Sequence, residues 1–240
     1  MSVVKAPNIL VFGGRGAIGS AVRRRFIELG WYVAATSRYE ETGDGLDSSA
    51  WIVCDPCAGL ASPVRLDAGK PYAAVCWAQG ANLTDSILDV DASAHLDLYS
   101  TNCVFVLQTL RILLDRDLLA PSARLVVVSS IWQHVARQAK LSYTMSKAAI
   151  GGLVRSASVD LASRGFLINA VLPSVLDTPM TIRNLSPAQI KGIENATGFG
   201  RLCNLNDVVA AIEFLCSERN TSITGQSLTV DLGFSHGRLV

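Results

Sequence analysis

Short apolar runs alternate along the chain with longer segments in which apolar residues recur every three or four positions. The short runs are rich in β-branched residues and predict strands over 8–12, 31–36, 51–54, 73–77, 124–129, 167–172 and 227–231. The longer segments predict helices over 20–29, 92–115, 142–164 and 207–217, and Ser186-Pro187 has the cap chemistry that begins another. Strands that alternate with helices are typical of βαβ units, so the pattern predicts an α/β fold with a doubly wound parallel sheet.

The composition agrees with a folded chain of this class. Of the 240 residues, 50% are hydrophobic and only 17% are charged, which is too apolar for a disordered protein. The apolar excess favours a sheet that is buried on both faces, or an oligomer that covers part of its surface. Because no repeat or linker interrupts the alternation, we interpret residues 1–240 as one domain.

The charge balance limits the partners. The 21 Lys and Arg residues against 20 Asp and Glu residues leave a net charge of +1, which offers no electrostatic reason to bind nucleic acid or an anionic membrane. No apolar stretch reaches the about 20 residues that span a bilayer. No export signal is visible at the start of the sequence. We therefore expect a cytoplasmic protein with neither a nucleic-acid nor a membrane partner.

Six cysteines include one C-x-x-C pattern, Cys54 to Cys57, which could be a redox or metal-binding pair. The sequence has no second such pair, and its three histidines lie far away along the chain. A reduced structural pair at the end of a strand is the more ordinary interpretation. We predict no metal site.

A glycine-rich turn follows the first predicted strand. Gly14, Gly16 and Gly19 form G-x-G-x-x-G directly before the first predicted helix. Glycine allows a tight turn and a close backbone approach to a pyrophosphate, and the helix N-terminus behind it attracts negative charge. At the first β-to-α junction, this motif predicts a dinucleotide site.

The end of the second predicted strand bears on which dinucleotide binds. Sites for NAD usually carry Asp or Glu there, but this strand ends in Thr36-Ser37-Arg38. Arg38 could pair with a 2′-phosphate, and Arg15 inside the turn could assist it. Both could also be ordinary surface charges. We favour NADP(H) as the coenzyme, with NAD(H) not excluded.

A tyrosine and a lysine stand one turn apart at the start of the second long predicted helix. Tyr143 and Lys147 share one helix face, and a nearby ammonium lowers the pKa of a phenol and makes it a usable acid/base. Y-x-x-x-K alone is common by chance. It gains weight from Ser130, which lies at the end of a predicted buried strand, where the carboxyl ends of parallel strands line a ligand crevice.

Together these motifs resemble the compact, single-domain type of short-chain dehydrogenase/reductase, over almost the whole chain from Asn8 to about Phe234. The resemblance also rests on the segments Asn169-Ala170-Val171-Leu172-Pro173 and Ile223-Thr224-Gly225-Gln226, the latter followed by Val230-Asp231. It implies a Rossmann-type sheet of about seven strands in the order 3-2-1-4-5-6-7, flanked by helices on both faces. Asn102 falls where this family keeps a catalytic asparagine.

By this resemblance, four residues are catalytic. Tyr143 gives a proton to the carbonyl oxygen during reduction, and Ser130 orients that oxygen. Lys147 lowers the pKa of Tyr143 and hydrogen-bonds the nicotinamide ribose, while Asn102 holds a water that links Lys147 to solvent. The nicotinamide gives a hydride directly to the carbonyl carbon.

The resemblance also implies binding residues around these four. Those expected at the coenzyme are Gly13, Gly14, Arg15, Gly16, Ile18, Gly19, Ser37, Arg38, Asp55, Ala78, Gly80, Tyr143, Lys147, Pro173, Val175 and Thr178. Candidates beside the substrate are Trp132, His134 and Met180, with residues 180–200 as a short lid. Trp132 could equally be a rim residue, and a solvent-exposed position is the more ordinary interpretation of His134.

Several positions depart from the family pattern. Phe12 replaces the usual Thr before the first glycine, Ala17 replaces the middle glycine, and Cys76 to Gly80 read CWAQG where Asn-Asn-Ala-Gly is usual. These changes concern the coenzyme site, whereas the four catalytic positions match.

Three functions remain open at this point. The first is an NADP(H)-dependent reductase of a ketone, either a 3-oxoacyl thioester or another small carbonyl. Since carrier proteins are acidic, a carrier-bound substrate would need a basic patch, for which Arg137, Lys140, Arg164 and Arg183 are candidates. The second is a dehydrogenase of a sugar, cyclitol or secondary-metabolite hydroxyl, and the third a catalytically idle coenzyme-binding regulator. The resemblance implies a homotetramer or homodimer that packs through the predicted helices 92–115 and 142–164.

Overall fold

The chain is seen in a computed structural model that describes residues 6–39, 49–56, 66, 69–178, 181–182 and 185–237. Its seven strands form one sheet with the order β3-β2-β1-β4-β5-β6-β7, and all neighbouring strands pair in parallel. The predicted strand order is confirmed. The strands are β1 (Asn8–Phe12), β2 (Tyr32–Ser37), β3 (Ser49–Val53), β4 (Tyr72–Trp77), β5 (Leu119–Val128), β6 (Leu167–Pro173) and β7 (Ser227–Val230).

Helices cover both faces of this sheet. They are α1 (Ala17–Glu28), α2 (Ala92–Tyr99), α3 (Phe105–Asp115), α4 (Leu141–Asp160), α5 (Pro187–Asn195) and α6 (Leu205–Cys216). Helices α1 and α6 bury Val22, Phe26 and Ile212 against one face, while α3 and α4 bury Leu113 and Ile150 against the other. The central strands are therefore buried on both sides, which explains their almost continuously apolar sequences.

Two helices differ from the pattern-based prediction. The segment predicted as one helix over 92–115 contains a π-helical turn, Ser100–Val104, between α2 and α3. The helix predicted over 142–164 ends at Asp160 and continues as a short 3₁₀ helix, Ala162–Arg164, which Gly165 closes with φ 72°. A π turn adds one residue to a helical turn, which the apolar spacing is too coarse to show. By contrast, Ser186 caps α5 with a capping box, so that predicted start is confirmed.

The strand order reverses between β1 and β4, where the chain turns to build the second half of the sheet. In doubly wound sheets the ligand crevice opens at such a point, beyond the carboxyl ends of the strands. The residues that follow β1, β2, β4, β5 and β6 all meet there. Among the described residues, no helix is both long and apolar enough to cross a membrane.

Candidate active site

The glycine turn packs too closely for side chains. Gly13 has φ +73°, and its N–H donates to Thr36 Oγ1 at 3.0 Å, while Gly14 N–H donates to Thr36 O at 3.0 Å. A Cβ on Gly19 would lie 2.2 Å from the carbonyl oxygen of Gly13, and one on Gly13 would lie 2.7 Å from Gln79 N. The turn therefore leaves an open backbone cradle at the N-terminus of α1, which suits a pyrophosphate.

A buried arginine on α1 contacts the backbone of the glycine turn. Arg23 of α1 is 1% exposed; its guanidinium lies 4.1 Å from the centre of the Trp51 ring, and Nη1 donates to Gly14 O at 3.5 Å. The sequence prediction missed this residue. Its signal is helical spacing, because Arg23 shares a face of α1 with Gly19 and Phe26, which are both buried.

A cavity of about 450 Å³ extends from the glycine turn to the end of β2. Its described lining includes most of the predicted coenzyme residues on this side, namely Gly13, Arg15, Gly16, Ile18, Ser37, Arg38, Ala78 and Gly80. Asp55 is not part of the lining, although its neighbours Cys54 and Pro56 are. Gln79 also lines the cavity, and its buried Oε1 has no hydrogen-bond partner among the described residues. An open cradle, two arginines and an unpaired acceptor fit a phosphorylated dinucleotide.

Asn102 lies in the π turn between α2 and α3 and is 2% exposed. Its Oδ1 accepts a hydrogen bond from Ala81 N at 2.8 Å. Its Nδ2 donates to Ala81 O at 3.1 Å and to Ser146 Oγ at 3.0 Å. Asn102 therefore ties the loop after β4 to the helix that carries Tyr143 and Lys147. Asn102 is the central residue of the π turn, and its side chain is buried.

Lys147 lies behind the site and is 4% exposed. Its Nζ donates to Val128 O at 3.2 Å and lies 5.6 Å from the centre of the Tyr143 ring. Burial disfavours the ammonium and lowers the pKa of Lys147 to about 8. A Cβ on Gly80 would lie 3.6 Å from this Nζ and 3.4 Å from Asn102 Oδ1, so Gly80, Asn102 and Lys147 meet at one point.

Tyr143 is half-buried. Burial raises the pKa of this phenol, and a hydrogen bond with Ser130 opposes the shift. The expectation from sequence was the opposite direction, with Lys147 lowering this pKa. In the coenzyme-free structure the direction is reversed, because the loss of water around the phenol outweighs the hydrogen bond with Ser130. At neutral pH the phenol is thus protonated and able to donate.

A second cavity, of about 350 Å³, opens between the loops after β4, β5 and β6. Ser130 and Tyr143 line it together with Trp132, and Ile18 lines both cavities and so connects them. Pro173, Val175 and Thr178, predicted to lie beside the nicotinamide, line this cavity and not the one at the glycine turn. His134 is exposed and is not part of the described lining. Met180 lies outside the described residues.

Two departures from the family pattern prove to be neighbours. Phe12 and Trp77 occupy paired positions on β1 and β4, and their rings stack with centroids 5.5 Å apart and an interplanar angle of 7°. Trp77 Nε1 donates to Thr109 Oγ1 at 2.8 Å, which satisfies the buried indole. These two aromatic side chains thus belong to the hydrophobic core next to the cavity at the glycine turn, and neither lines that cavity.

The basic patch considered for a carrier protein is not formed by its described members. Lys140 is buried, and its ammonium is held by three oxygens of residues 82–84. Arg164 precedes β6 and pairs with Asp117, which precedes β5. It therefore lies at the amino ends of these strands, whereas the crevice lies at their carboxyl ends. Arg183 lies outside the described residues, and of the described candidates only Arg137 is both exposed and beside the cavity.

Of the two cysteines of the C-x-x-C pattern the structure describes only Cys54, because Cys57 lies outside the described residues. Burial raises the pKa of the Cys54 thiol to about 11, so this thiol is protonated at neutral pH. Within the described ranges, no three His, Cys, Asp or Glu side chains are grouped as a metal site would require.

Comparison with known proteins identifies the family of this chain. The sequence profile of the family described as Enoyl-(Acyl carrier protein) reductase matches residues 60–235. The uncharacterized oxidoreductase YmfI of Bacillus subtilis (strain 168) is 30% identical over 165 residues, which cover 69% of this chain and 68% of that protein. The 3-oxoacyl-(acyl-carrier-protein) reductase FabG of Salmonella typhimurium is 26% identical over 93% of this chain and 95% of its own.

Solved structures share the fold. The ligand-free aldohexose dehydrogenase AldT of Thermoplasma acidophilum superposes with a TM-score of 0.85 at 21% identity, covering 98% of this chain and 96% of its own. A short-chain dehydrogenase of Leptospira borgpetersenii with bound NAD+ gives 0.81 at 20% identity, with 96% and 93% covered. ElxO with bound NADP gives 0.78 at 23% identity, with 95% and 98% covered.

The family profile covers most of the chain. The relatives that the chain matches over most of their length are oxidoreductases. Together with the sheet order and the grouping of Ser130, Tyr143, Lys147 and Asn102, these matches lead to one conclusion. The chain is an oxidoreductase of the short-chain dehydrogenase/reductase family.

Proposed function

We propose that this protein is an NADP(H)-dependent oxidoreductase that reduces a small ketone to a secondary alcohol, with Tyr143 as the acid/base. The observation that carries the proposal is the meeting of Ser130 and Tyr143 in the wall of one cavity, directly connected through Ile18 to the glycine-lined cavity. An oxygen of the substrate can lie between the two hydroxyls while a dinucleotide occupies the adjoining space.

The choice of NADP(H) rests on the end of β2. Arg38 and Arg15 line the same cavity, and both are exposed at its mouth, where guanidinium groups can reach phosphate oxygens. Among the described lining residues of this cavity there is no Asp or Glu to accept from the ribose hydroxyls. Solved structures of the same fold hold either NAD+ or NADP, so the choice of the phosphorylated form rests on the residues of this chain alone.

The residues of the chain would divide the work as follows. The coenzyme, when bound, supplies the hydride for the carbonyl carbon. Ser130 Oγ orients the carbonyl oxygen, and the protonated phenol of Tyr143 donates its proton to that oxygen. Lys147 contributes a buried positive charge 5.6 Å from the ring, which stabilises the phenolate formed by this transfer.

Asn102 would act as a positioning residue for Lys147. Both of its Nδ2 protons are in use, and its Oδ1 accepts one hydrogen bond, which leaves one acceptor site for the proposed water. A proton relay through such a water would restore the proton on Tyr143 by way of Lys147.

The cavity favours a small carbonyl compound over a carrier-bound thioester. It measures about 350 Å³, near the lower end of small-molecule sites. Among the described candidates for a patch that binds an acidic carrier, Arg164 lies at the amino ends of the strands, away from this cavity, and Lys140 is buried in the cavity wall, so these two do not form an exposed basic patch at its mouth. A dehydrogenase of a sugar or cyclitol hydroxyl is the second candidate, favoured by polar lining residues such as Asn82, Thr84 and Ser174.

We further propose that the protein works in the cytoplasm as a homodimer or homotetramer. Helices α3 and α4 carry large apolar side chains that are exposed in the single chain, among them Leu107 at 56%, Val159 at 76% and Met145 at 49%. Apolar patches of this kind mark interfaces between subunits. Multi-angle light scattering would test the assembly, and a monomer at micromolar concentration would contradict it.

The test of the proposed activity is Tyr143→Phe. We expect this variant to lose at least about 10²-fold in kcat for ketone reduction, because the general acid is removed. Its Kd for NADPH, measured by calorimetry, should stay within about threefold of the wild type. Tyr32→Phe, at the opposite end of the strands, is the matched control. Retained turnover in Tyr143→Phe would refute the assignment.

A further inference from the structure

The substrate cavity carries two cations and, among its described lining residues, no carboxylate. Arg137 and Lys140 both line the cavity that Ser130 and Tyr143 line. The rest of the described wall consists of apolar side chains, hydroxyls and one amide. A neutral ketone needs one or two hydrogen-bond donors for its oxygen, which Ser130 and Tyr143 already supply. Two additional positive charges therefore require another explanation.

Lys140 is the inner of the two cations. It is 7% exposed, and its Nζ donates to Asn82 Oδ1 at 2.8 Å, to Leu83 O at 2.9 Å and to Thr84 Oγ1 at 3.2 Å. All three acceptors are neutral oxygens, so they satisfy the hydrogen bonds of the ammonium but leave its charge uncancelled. The same bonds fasten the loop after β4 to the start of α4, three residues before Tyr143.

The nearby carboxylate, Asp85, is engaged elsewhere. It accepts from Ser142 N at 3.1 Å and from the Ser142 hydroxyl, and that hydroxyl also contacts His95 Nδ1 at 2.8 Å. Asp85 is buried and is not part of the cavity wall. It serves the first turn of α4, whereas the two cations face the cavity.

Arg137 is the outer cation. Its guanidinium lies 6.0 Å from the centre of the Trp132 ring, and Trp132 lines the same cavity. A planar guanidinium held against an indole keeps its donors directed along the plane, and this arrangement suits two-point binding of a carboxylate. Apart from this ring contact, the Arg137 side chain is exposed to solvent. It can therefore reach a ligand in the cavity without breaking a hydrogen bond or ion pair that the structure shows.

The positive charges of Arg137 and Lys140 repel each other in the ligand-free protein. The pKa of Lys140 is lowered, first by burial and second by the positive charge of Arg137, and the attraction from Asp85 is the smallest of the three effects. An anion between Arg137 and Lys140 would remove this repulsion and supply the missing counter-charge. The free cavity is thus electrostatically prepared for negative charge.

We propose that the substrate is a small keto acid, whose carboxylate lies between Arg137 and Lys140 while its ketone lies between Ser130 and Tyr143. This inference rests on the proposed function, which it deepens. In the reaction, the ketone carbon gains a hydride, its oxygen gains the Tyr143 proton, and NADPH is oxidised to NADP+. The carboxylate is unchanged and serves as the handle that sets the distance to the reacting carbon.

The test compares each acid with its own neutral ester. The substrates are 2-oxobutanoate, 3-oxobutanoate and 4-oxopentanoate, each beside its methyl ester, with NADPH consumption as the readout. For at least one chain length, we expect kcat/KM of the acid to exceed that of the ester by about 10- to 100-fold, the range for a charge-assisted hydrogen bond. The preferred length reports the spacing between the two ends of the cavity.

Arg137→Gln should reduce this acid-to-ester ratio to within about threefold of one. Because Arg137 is exposed, the substitution does not threaten folding. Arg111→Gln is the matched control, since Arg111 is an exposed arginine of α3 that pairs with Asp115 and is not part of the cavity wall. The ratio should be unchanged in Arg111→Gln.

A binding measurement separates this inference from the proposed activity. Calorimetry of the NADP+-loaded protein, in which no reduction can occur, should show for at least one of the three acids an affinity at least about 10-fold above that of its methyl ester. Preferential acid binding without turnover of any ketone would support the anion site and refute the proposed function. Reduction of esters as fast as acids, or equal binding of the two, would refute the keto-acid inference and leave the proposed function standing.

Discussion

Replacement of Asn102 with alanine removes three hydrogen bonds at a single buried position. The side chain is 2% exposed and bonds both the N–H and the carbonyl of Ala81, as well as the Ser146 hydroxyl. Each intramolecular hydrogen bond contributes about 1 kcal/mol net, so we expect Asn102→Ala to lower the free energy of unfolding by about 3 kcal/mol. For a chain of this size, that loss corresponds to a fall in Tm of roughly 6–12 °C.

The measurement is thermal unfolding followed by circular dichroism, with all variants at the same protein concentration because oligomers gain apparent stability with concentration. Asn206→Ala is the matched control, because Asn206 is exposed in the first turn of α6. We expect its Tm to stay within about 2 °C of the wild type. The kcat of Asn102→Ala should fall as well, since this side chain fixes the loop after β4 to the helix that carries Tyr143 and Lys147. A Tm loss under about 2 °C together with unchanged kcat would show that the π turn does not support the site.

Three further predictions concern the coenzyme cradle and the buried lysine. Gly19→Ala places a Cβ 2.2 Å from the Gly13 carbonyl oxygen, so NADPH affinity measured by calorimetry should fall at least 10-fold, whereas Gly152→Ala, which meets nothing within 4 Å, should leave it unchanged. Arg38→Ala should weaken NADPH binding about 10-fold more than NADH binding, and equal losses would show that Arg38 does not contact a 2′-phosphate. Lys147 has a pKa of about 8 in the folded protein and about 10.5 when unfolded, so the unfolded state binds more protons between these values. The difference in unfolding free energy between the coenzyme-free wild type and Lys147→Met, measured in urea, should therefore shift by up to about 3 kcal/mol in favour of the wild type from pH 8 to pH 10.5, because the buried thiols whose raised pKa acts in the opposite direction are common to both proteins; parallel pH profiles would contradict the shift.

The pKa of Tyr143 illustrates a limit of local reasoning. The i, i+4 spacing of Tyr143 and Lys147 correctly places them on one helix face, and from that pairing alone an ammonium should lower the pKa of the phenol. The direction is reversed in the structure because both groups lose water, and desolvation depends on what the rest of the chain packs around them. Spacing along one helix contains no information about that surrounding.

The charged residues show the same limit. Lys140 and Arg164 are equally polar in sequence, but one is buried beside the cavity and the other pairs with Asp117 at the amino ends of the strands. Arg23 is the first of three consecutive arginines; helical spacing places it on the buried face of α1, but the partner of its guanidinium, Trp51, comes from the distant strand β3. Each of these positions depends on contacts between distant elements.

The amino-acid sequence by itself determined the alternation of strands and helices, the strand order through the family resemblance, the glycine turn, the capping box of α5 and the choice of candidate catalytic side chains. These features depend on short-range periodicity and on residue types within a few positions of each other. Only the tertiary structure decided the π turn at Asn102, the stacking of Phe12 on Trp77, the protonated state of Tyr143 and the placing of Arg137 and Lys140 in one cavity. Burial and electrostatic fields arise from segments that are distant along the chain, and they exist only after the sheet and its two helical layers have assembled.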